Sequence, residues 1–342
     1  MRIASILYLA RLAAAAADAS GTCSSTVYIT RTTDEASPTT APAITVAPDD
    51  SGQFTAIGDA ISYAQGNGIP TVTVLHGTYP AITIESTPSV TIVAETKSEY
   101  DYTQNEVVVL SDGTALTIAG NLAGLTFTNV NFVNSGSSGS AAILKGTDLG
   151  FYQCQFISSG ESGISANQAL AVIANSYIEA PTDLIEGSAN IYIFNTVISP
   201  TESSAVIVYI EGPTSNGKST VVIDRSRVSQ KSGANNNNVY LAAAAGPGAV
   251  VVYRDSALGG LIAPSGVKID SETQNDANLY GEYDTTGAGA YINNEDARSA
   301  FVSYLETSSL SSVSIAAVVA DGNSDTAWID PAVLAAIESA DV

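Results

Sequence analysis

The sequence predicts an all-β protein, a single-stranded parallel β-helix in which each turn of the chain stacks on the turn before it. A short strand pattern recurs six times, with two apolar residues separated by four positions of alternating polarity. The copies are Phe127/Phe132, Phe151/Phe156, Val172/Tyr177, Tyr192/Val197, Ile223/Val228 and Tyr253/Leu258. Their starts lie 24, 21, 20, 31 and 30 residues apart, which is typical of a solenoid. No helix-length amphipathic segment separates the copies, so a βαβ sheet is not indicated.

Composition and charge agree with a β-solenoid and exclude two classes of partner. Of the 342 residues, 45% are hydrophobic and only 13% are charged. Acidic residues outnumber basic residues 34 to 12, which gives a formal net charge of −22. A negative field of this size repels nucleic acid and anionic membranes, so we expect neither as a partner.

The first 43 residues are expected to precede the folded domain. Residues 1–19 have the features of a secretory signal peptide: a basic start, an apolar run and an A-x-A-type cleavage site. An ordinary amphipathic start is the alternative. Residues 20–43 are rich in Thr, Ser and Pro and predict a flexible lead-in. We therefore expect a secreted, extracellular protein whose β-helix domain covers residues 44–342.

Short helices are predicted at both ends of the β-helix. Residues 54–64 carry apolar side chains at helical spacing and predict a helix that caps the open first coil. Residues 199–219 and 229–238 are predicted loops that frame a groove. After the last repeat, residues 295–307 and 329–340 predict helices that pack across the other end.

Matching positions of neighbouring coils become spatial neighbours, because adjacent parallel strands lie ~4.8 Å apart. The position three residues after each repeat start predicts a stacked column of small, mostly polar residues. Its members are Val130, Cys154, Asn175, Asn195, Ser226 and Ser256. By the same reasoning Glu161 and Asp183, which follow successive copies of the repeat, are predicted to lie on adjacent coils and on one face.

Six stretches, in order, resemble the motifs of one family, the pectin methylesterases of fungi, plants and bacteria. They are VAPDDSGQFTAIGDAI, VLHGTYPAI, LTFTNVNFVN, FYQCQF, YIEAPTDLIEG and NLYGEYDTTGAGA. The resemblance covers residues 44–334 and implies a right-handed parallel β-helix, in agreement with the repeats. It also implies a secreted, monomeric carboxylic ester hydrolase that needs no cofactor or metal. Its substrate would be a polysaccharide, the methylated homogalacturonan of plant cell-wall pectin.

The resemblance implies a catalytic site built on two carboxylates. The family's nucleophilic aspartate matches Asp183, and its acid/base aspartate matches Glu161. An aromatic residue of the nucleophile motif is replaced by Glu186, which we expect to contact substrate. Tyr240 is expected to line the groove and bind substrate, with an ordinary strand tyrosine as the alternative.

Several family residues are missing from this site. The positions of the family's orienting arginine, platform tryptophan and oxyanion glutamine are taken by Ala243, Ala245 and Gly160. Loss of one oxyanion donor typically costs ~100- to 1000-fold in rate. Without the arginine, Glu161, Asp183 and Glu186 would form a cluster with no cation, which raises at least one carboxyl pKa. The basic residues considered as replacements are Lys218, Arg225, Arg227 and Arg254.

Three functions remain open from the sequence. The first is a pectinesterase with an aspartate nucleophile and a carboxylate acid/base. The second is a catalytically impaired relative that binds wall polysaccharide, which Ala243 and Ala245 favour. The third is another β-helix chemistry, hydrolysis or lyase cleavage of galacturonan, for which no set of basic and Ca²⁺-binding residues is evident. A surface acidic patch without a catalytic role is the alternative for the carboxylates.

The rare residue types are expected to be structural. His76, the only histidine, is far in sequence from any nucleophile, so a Ser-His-Asp triad is not indicated. Trp328 is expected to pack rather than to stack on sugar. Cys154 is expected to be buried as a small apolar residue, and a disulfide with Cys23 is the open alternative. No Cys or His cluster has metal-ligand spacing, so we expect no metal.

Overall fold

The computed structural model describes residues 43–85, 89–120, 122–212, 219–231, 238–320 and 325–339, which form a parallel β-helix. The predicted fold class is therefore confirmed. Its strands are β1 (Ile44–Val46), β2 (Thr71–Val74), β3 (Gly77–Tyr79), β4 (Ile82–Ile84), β5 (Val90–Ala94), β6 (Val107–Ser111), β7 (Leu116–Ile118), β8 (Ala123–Thr128), β9 (Val130–Asn134), β10 (Ala142–Tyr152), β11 (Gln155–Ser158), β12 (Ile164–Ala174), β13 (Tyr177–Ala180), β14 (Ile185–Phe194), β15 (Val197–Pro200), β16 (Val206–Ile210), β17 (Ser219–Asp224), β18 (Arg227–Val228), β19 (Tyr240–Ala244), β20 (Ala249–Arg254), β21 (Ala257–Leu258), β22 (Leu279–Tyr283) and β23 (Val302–Tyr304). The helices are α1 (Ile57–Gly66), α2 (Ile315–Val319) and α3 (Pro331–Glu338). The predicted signal peptide and, except for Ala43, the predicted lead-in lie outside the described residues.

Three walls make up each central coil of the chain. An 8-stranded parallel sheet, β3-β6-β9-β11-β13-β15-β18-β21, forms one wall. A 15-stranded sheet forms the other two, because its long strands bend from one wall into the next. The first part of β10 pairs with β7 and its second part with β8; likewise β14 pairs first with β16 and then with β17. We call the wall that contains β7, β16, β19 and the first parts of β10, β12 and β14 the site wall.

The interior of the β-helix is filled by apolar side chains that stack from coil to coil. The rings of Phe127 and Phe151 stack with centroids 5.8 Å apart, and those of Phe132 and Phe156 with centroids 5.5 Å apart. All four side chains are fully buried. Such stacking is the means by which a solenoid buries apolar surface without a globular core.

Two coils are offset by one residue from the predicted repeat. Phe151 pairs with Ile173 rather than Val172, and the column continues through Ile193 rather than Tyr192. Val172 and Tyr192 face outward, where C-terminal residues bury them. Because both faces of these strands are apolar, alternation could not reveal which residues point inward, and a one-residue slip exchanges the faces.

A ladder of hydroxyl groups crosses the coils at the corner before the 8-stranded sheet. Each hydroxyl oxygen accepts a hydrogen bond from a backbone N–H one coil earlier, at 3.0 to 3.3 Å. The accepting residues are Ser176, Thr196, Ser226 and Ser256. The predicted polar column therefore exists with Ser176 and Thr196 in place of Asn175 and Asn195. Those two asparagines occupy the preceding position, in the left-handed backbone region.

Helix α1 covers the first coils, as predicted. Its buried face includes Ile57, Ala60, Ile61 and Ala64. These side chains belong to the same apolar cluster as the interior of the β-helix. The helix therefore continues the stacked core at the N-terminal end and protects strands that would otherwise form an open edge.

The C-terminal segment differs from its prediction in two ways. Residues 295–307 are not one helix: they contain a 3₁₀ turn, Glu295–Ala297, and strand β23, which pairs with β22. Helix α3 is confirmed, with Pro331 in its first turn and the Asp330 side chain capping its N-terminus. However, α2 and α3 pack on the outer face of β12, β14, β17 and β20 rather than across the end, because the outward apolar residues there form a second core.

The predicted loop at residues 199–219 contains a strand. β15 extends to Pro200, β16 spans Val206–Ile210, and Ser219 begins β17. The prediction was wrong because the apolar run of β16 does not fit the apolar–four–apolar pattern. The described residues of the predicted loop 229–238 contain no strand.

The described residues of the rare types, His76, Trp328 and Cys154, all contact other parts of the fold. Nδ1 of His76 lies 2.9 Å from Oε2 of Glu95 on the neighbouring coil. Trp328 packs against the outer apolar cluster, as predicted. Cys154 is fully buried, as predicted, while Cys23 lies outside the described residues. No helix in the described ranges is long and apolar enough to cross a membrane.

Candidate active site

One row of outward positions on the site wall is in register across the coils. Ser165 pairs with Glu186, Glu186 with Tyr209, and Tyr209 with Ala243. Their neighbours in sequence, such as Ile185 and Val208, are fully buried in the interior. Because successive strand residues point to opposite faces, the wall presents Ser165, Glu186 and Tyr209 together on its outer surface.

Asp183 stands just before β14, at the edge of this wall. Its φ of 44° places it in the left-handed region, which Asp adopts more readily than most residues. The side chain is half-buried, and this burial raises the carboxyl pKa above its ordinary value. The Lys268 ammonium opposes that rise, and the Glu211 carboxylate adds to it.

Lys268 extends the outward row by one coil. Its backbone N–H donates to the carbonyl oxygen of Ala242 at 3.0 Å, and Val267 bridges to Ala242, so Lys268 lies level with Ala243. Its Nζ is 3.9 Å from Oδ2 of Asp270. The cation that acts on Asp183 therefore comes from the coil beyond Ala243, the position at which the sequence resemblance implies an arginine.

Three of the four basic residues considered from sequence as replacements act on other groups. Arg225 and Arg254 both contact the buried Asp224 carboxylate. The Arg227 charge acts on Tyr102, on a different wall. Lys218 lies outside the described residues. No sequence signal pointed to Lys268, because the chain after β21 leaves the repeat that would have set its register.

Glu186 is held by serine hydroxyls from neighbouring coils. Ser162 Oγ donates to Glu186 Oε1 at 2.9 Å, and Ser140 Oγ lies 2.6 Å from Ser162 Oγ. Burial raises the pKa of the Glu186 carboxyl, hydrogen bonds from Ser162 and Ser165 oppose the rise, and Asp183 adds to it. A half-buried carboxyl beside another carboxylate holds its proton more tightly than an exposed carboxyl does.

Glu161 is exposed and lies one position out of register with Asp183. Ile164 pairs with Ile185, so Ser162, two residues before Ile164, is level with Asp183. The coil that carries Glu161 has one additional residue in its turn. Phe156 pairs with Ile178 and Ile164 pairs with Ile185, so the turn advances eight positions in the first coil and seven in the next. The structure brings Asp183 and Glu186 together and leaves Glu161 at the rim.

The turn before Glu161 also has no room for a side chain at position 160, where the sequence resemblance implies a glutamine. A Cβ atom added at Gly160 would lie 2.7 Å from the carbonyl oxygen of Gly139 and 2.7 Å from the carbonyl carbon of Ser138. Backbone atoms cannot yield as a flexible side chain can. The glycine at position 160 is therefore required by this close approach of two coils.

Two tyrosines occupy different places on the site wall. Tyr240 is half-buried and pairs with Val206, which is level with Asp183, so it lies two coils from the carboxylate. Tyr209 lies between Glu186 and Ala243. Burial, Asp183 and Glu211 raise the pKa of the Tyr209 hydroxyl, so it remains a hydrogen-bond donor at neutral pH. Tyr209 was not predicted as a site residue, because the residues of β16 were predicted to form part of a loop.

No metal site is evident in the described part of the chain. There, no group of three or more His, Cys, Asp or Glu side chains has the geometry to hold a metal ion. The chemistry available at the site wall is that of two carboxyl groups with raised pKa values, a tyrosine hydroxyl and a lysine ammonium.

Comparison with known proteins identifies the family to which this parallel β-helix, with two half-buried carboxyl groups on one wall, belongs. The Pectinesterase family profile matches residues 43–322, so the chain belongs to the pectinesterase family. A probable pectinesterase A of Neosartorya fischeri is 27% identical to this chain, covering 82% of it and 87% of the relative.

Two solved structures share the fold. The pectin methylesterase of Aspergillus niger superposes with a TM-score of 0.67 and 23% identity, covering 85% of this chain and 97% of that protein. A pectin methylesterase in complex with a hexasaccharide superposes with a TM-score of 0.66 and 15% identity, covering 81% and 97%. The predicted family membership and fold are thus confirmed.

Proposed function

We propose that this protein is a pectin-demethylating esterase that acts on methylated homogalacturonan, with Asp183 as the nucleophile. The observation that carries the proposal is the placement of Asp183. It stands in the family's nucleophile motif, half-buried, with the Lys268 ammonium close enough to lower its pKa. The sequence argues against activity because Ala243 cannot provide a positive charge near the nucleophile. We propose that Lys268 provides that charge instead.

In the first step, an ionised Asp183 oxygen attacks the carbonyl carbon of the methyl ester. The carbonyl oxygen takes up negative charge, and we assign to the protonated Tyr209 hydroxyl the role of donating a hydrogen bond to it. The bond to the methoxy group then breaks. The Glu186 carboxyl gives its proton to the departing oxygen, so methanol leaves and an acid anhydride joins Asp183 to the substrate.

In the second step, water hydrolyses the anhydride. The Glu186 carboxylate takes a proton from water, and the resulting hydroxide attacks the acyl carbon of the substrate. Asp183 leaves as a carboxylate, Glu186 is again protonated, and the product is a galacturonate carboxylic acid that ionises in water. We assign Glu186, rather than Glu161, to the acid/base role, because Glu186 shares the half-buried cluster with Asp183.

The substrate groove is proposed to run along the coils over the site wall. Tyr240, two coils from Asp183, would contact a sugar bound beyond the reacting one, and Glu161 would lie at the rim. Because methyl esters are uncharged, the highly methylated substrate carries little negative charge and is not repelled by a strongly acidic protein. The demethylated product carries carboxylates and would be repelled. We also propose that the protein is secreted to the extracellular space, where a polysaccharide substrate of the cell wall would be found.

The test is methanol release from highly methylated pectin by the protein and by Asp183→Ala. We expect release by the parent protein and a loss of at least about 1000-fold in the variant, because its nucleophile is gone. Ser271→Ala, a change at an exposed serine, is the control. No release by the parent between pH 4 and pH 8 would contradict the proposal.

Non-catalytic binding of wall polysaccharide is the second candidate function. It is favoured by Ala243 and Ala245, which leave the wall without the family's arginine and tryptophan. The two functions differ in one outcome of the same experiment. A protein that binds methylated pectin without releasing methanol would be a binding protein, whereas release that depends on Asp183 identifies the esterase.

A further inference from the structure

A second groove lies on the flank of the β-helix, away from the site wall. It has a volume of about 560 Å³ and runs between helix α3 and the corner at which β8, β10, β12 and β14 end. Its lining includes Tyr100, Asn129, Gln153, Asn175, Asn195 and Asp330. None of the residues assigned to the candidate active site is among those that line it.

One side of the groove is a column of amide side chains, one from each coil. Asn129, Gln153, Asn175 and Asn195 all have φ between 46° and 64°, so the backbone turns the corner in the same way each time. Successive coils are ~4.8 Å apart, which gives the column a length of roughly 14 Å. An extended oligosaccharide that lies along the column would therefore meet one amide after another.

The amide column offers hydrogen bonds to a ligand with many hydroxyl groups. Each amide has an acceptor oxygen and a donor nitrogen. Nδ2 of Asn195 donates to Oδ1 of Asn175 at 2.7 Å, which orients these two side chains. Hydroxyl groups, which both donate and accept, are the natural partners of such a row.

Asn129 is an independent sign that the groove is built to receive a donor. Its side chain is only 4% exposed, and within the described residues its Oδ1 has no hydrogen-bond partner. A buried acceptor without a partner is energetically unfavourable. Asn129 lines the groove, so rotation of its amide toward the groove would bring this oxygen to a ligand hydroxyl.

An aromatic ring stands at the edge of the same groove. Tyr100 lines the groove and is 87% exposed. An aromatic side chain of this size is seldom so open to solvent, because burial of its ring is favourable. A sugar ring that packs against the tyrosine face would cover it while its hydroxyls reach the amides.

The charges around the groove argue against an anionic ligand. The charged lining residues are Glu99 and Asp330, both acidic. Arg225, which is not among the lining residues, donates to the carbonyl oxygens of Ala336 and Ile337 at 2.9 and 3.1 Å. Polygalacturonate would therefore meet carboxylates along the groove.

We propose that this flank groove binds a neutral oligosaccharide, distinct from the pectin substrate and independent of the proposed esterase activity. The amide column binds sugar hydroxyls, Tyr100 packs on a sugar ring, and Glu99 and Asp330 exclude acidic polymers. Such a site would hold the protein on an uncharged polysaccharide while the site wall faces its own substrate.

The test is calorimetric titration of the full-length protein with cellohexaose and xylohexaose. We expect at least one of these neutral hexasaccharides to bind, and Tyr100→Ala to weaken that binding about tenfold. Gln153→Gly should weaken it similarly. Glycine tolerates the positive φ at position 153, so this change removes the amide without straining the backbone. Tyr63→Ala, at another exposed tyrosine on helix α1, should bind as the parent does.

Several outcomes would overturn this proposal. One is that neither neutral hexasaccharide binds the parent protein. Another is that Tyr100→Ala and Gln153→Gly bind as the parent does while their melting temperatures are unchanged. A third is that hexagalacturonate displaces the neutral sugar at equal concentration. Asp183→Asn should retain neutral-sugar binding; its loss would place that sugar on the site wall and contradict a separate site.

Discussion

Burial and the Lys268 ammonium act in opposite directions on the carboxyl pKa of Asp183. Burial raises that pKa, and the lysine charge limits the rise. A nucleophilic carboxylate must be ionised, so the lysine determines how far into the acidic range the proposed enzyme can work. The same charge is provided in relatives by an arginine that here is Ala243, according to the sequence resemblance.

Removal of the lysine charge should shift the pH dependence of activity. In Lys268→Ala the pKa of Asp183 rises, so the acidic limb of the kcat/KM profile should move to higher pH, with a loss of about tenfold or more at pH 5. Lys268→Arg should keep the parent profile. The measurement is methanol release across pH, with Lys97→Ala as the control, since Lys97 pairs with Glu106 on another wall. An unchanged acidic limb in Lys268→Ala would contradict the assigned role.

The raised pKa of Asp183 should also be visible in stability. Because folding raises this pKa, the native state binds more protons than the unfolded state. The free energy of unfolding therefore falls as the pH rises from the ordinary carboxyl pKa through the raised one. Asp183→Asn removes the buried charge. It should raise the melting temperature at pH 7 and have little effect at pH 3. A variant that is less stable than the parent at pH 7 would show that the charge stabilises the fold.

The hydroxyl ladder is the element that fixes one coil on the next at the buried corner. Ser226 Oγ accepts the Thr196 N–H at 3.0 Å, and both residues are nearly inaccessible to solvent. In Ser226→Ala that N–H loses its partner, and we expect a loss of about 1–3 kcal/mol in the free energy of unfolding. Urea denaturation measures it, with the exposed Ser271→Ala as the matched control. Equal midpoints for the two variants would show that the ladder contributes nothing.

The interior residues of a strand were predicted correctly where only one face of the strand is buried, and wrongly where both faces are. Phe127 and Phe151 lie on strands whose interior positions were read correctly from the alternation, and their coil-to-coil pairing was as predicted. Val172 and Tyr192 were assigned to the interior wrongly, because helices α2 and α3 bury the outer face as well. The packing of those helices depends on long-range contacts that no local pattern encodes.

The candidate site was predictable only in part for a similar reason. Asp183 and Glu186 belong to one motif and lie three residues apart, where the chain enters β14. Lys268 comes from a segment outside the repeat, and the offset of Glu161 depends on one extra residue in a turn. Side-chain register across coils is set by turn lengths, so a one-residue insertion displaces a carboxylate without any change in residue type.

At the scale of the whole molecule, the net charge of −22 should control how far demethylation proceeds. Each ester hydrolysed adds a negative charge to the polymer, and the protein's own field repels the product increasingly. At low ionic strength we expect the rate on half-demethylated pectin to fall several-fold below that on fully methylated pectin. Sodium chloride at 0.2 M should reduce the difference. A rate ratio that does not depend on salt would contradict this electrostatic account.

The most direct test of the rearranged active site compares Glu186→Gln with Glu161→Gln in methanol release from methylated pectin. Both changes remove one carboxylate at nearly constant size. We predict that Glu186→Gln loses about 100-fold or more in kcat, as expected for a general acid/base, while Glu161→Gln stays within about threefold of the parent. The opposite result, with Glu161 essential and Glu186 dispensable, would contradict the account and return the acid/base role to the exposed turn.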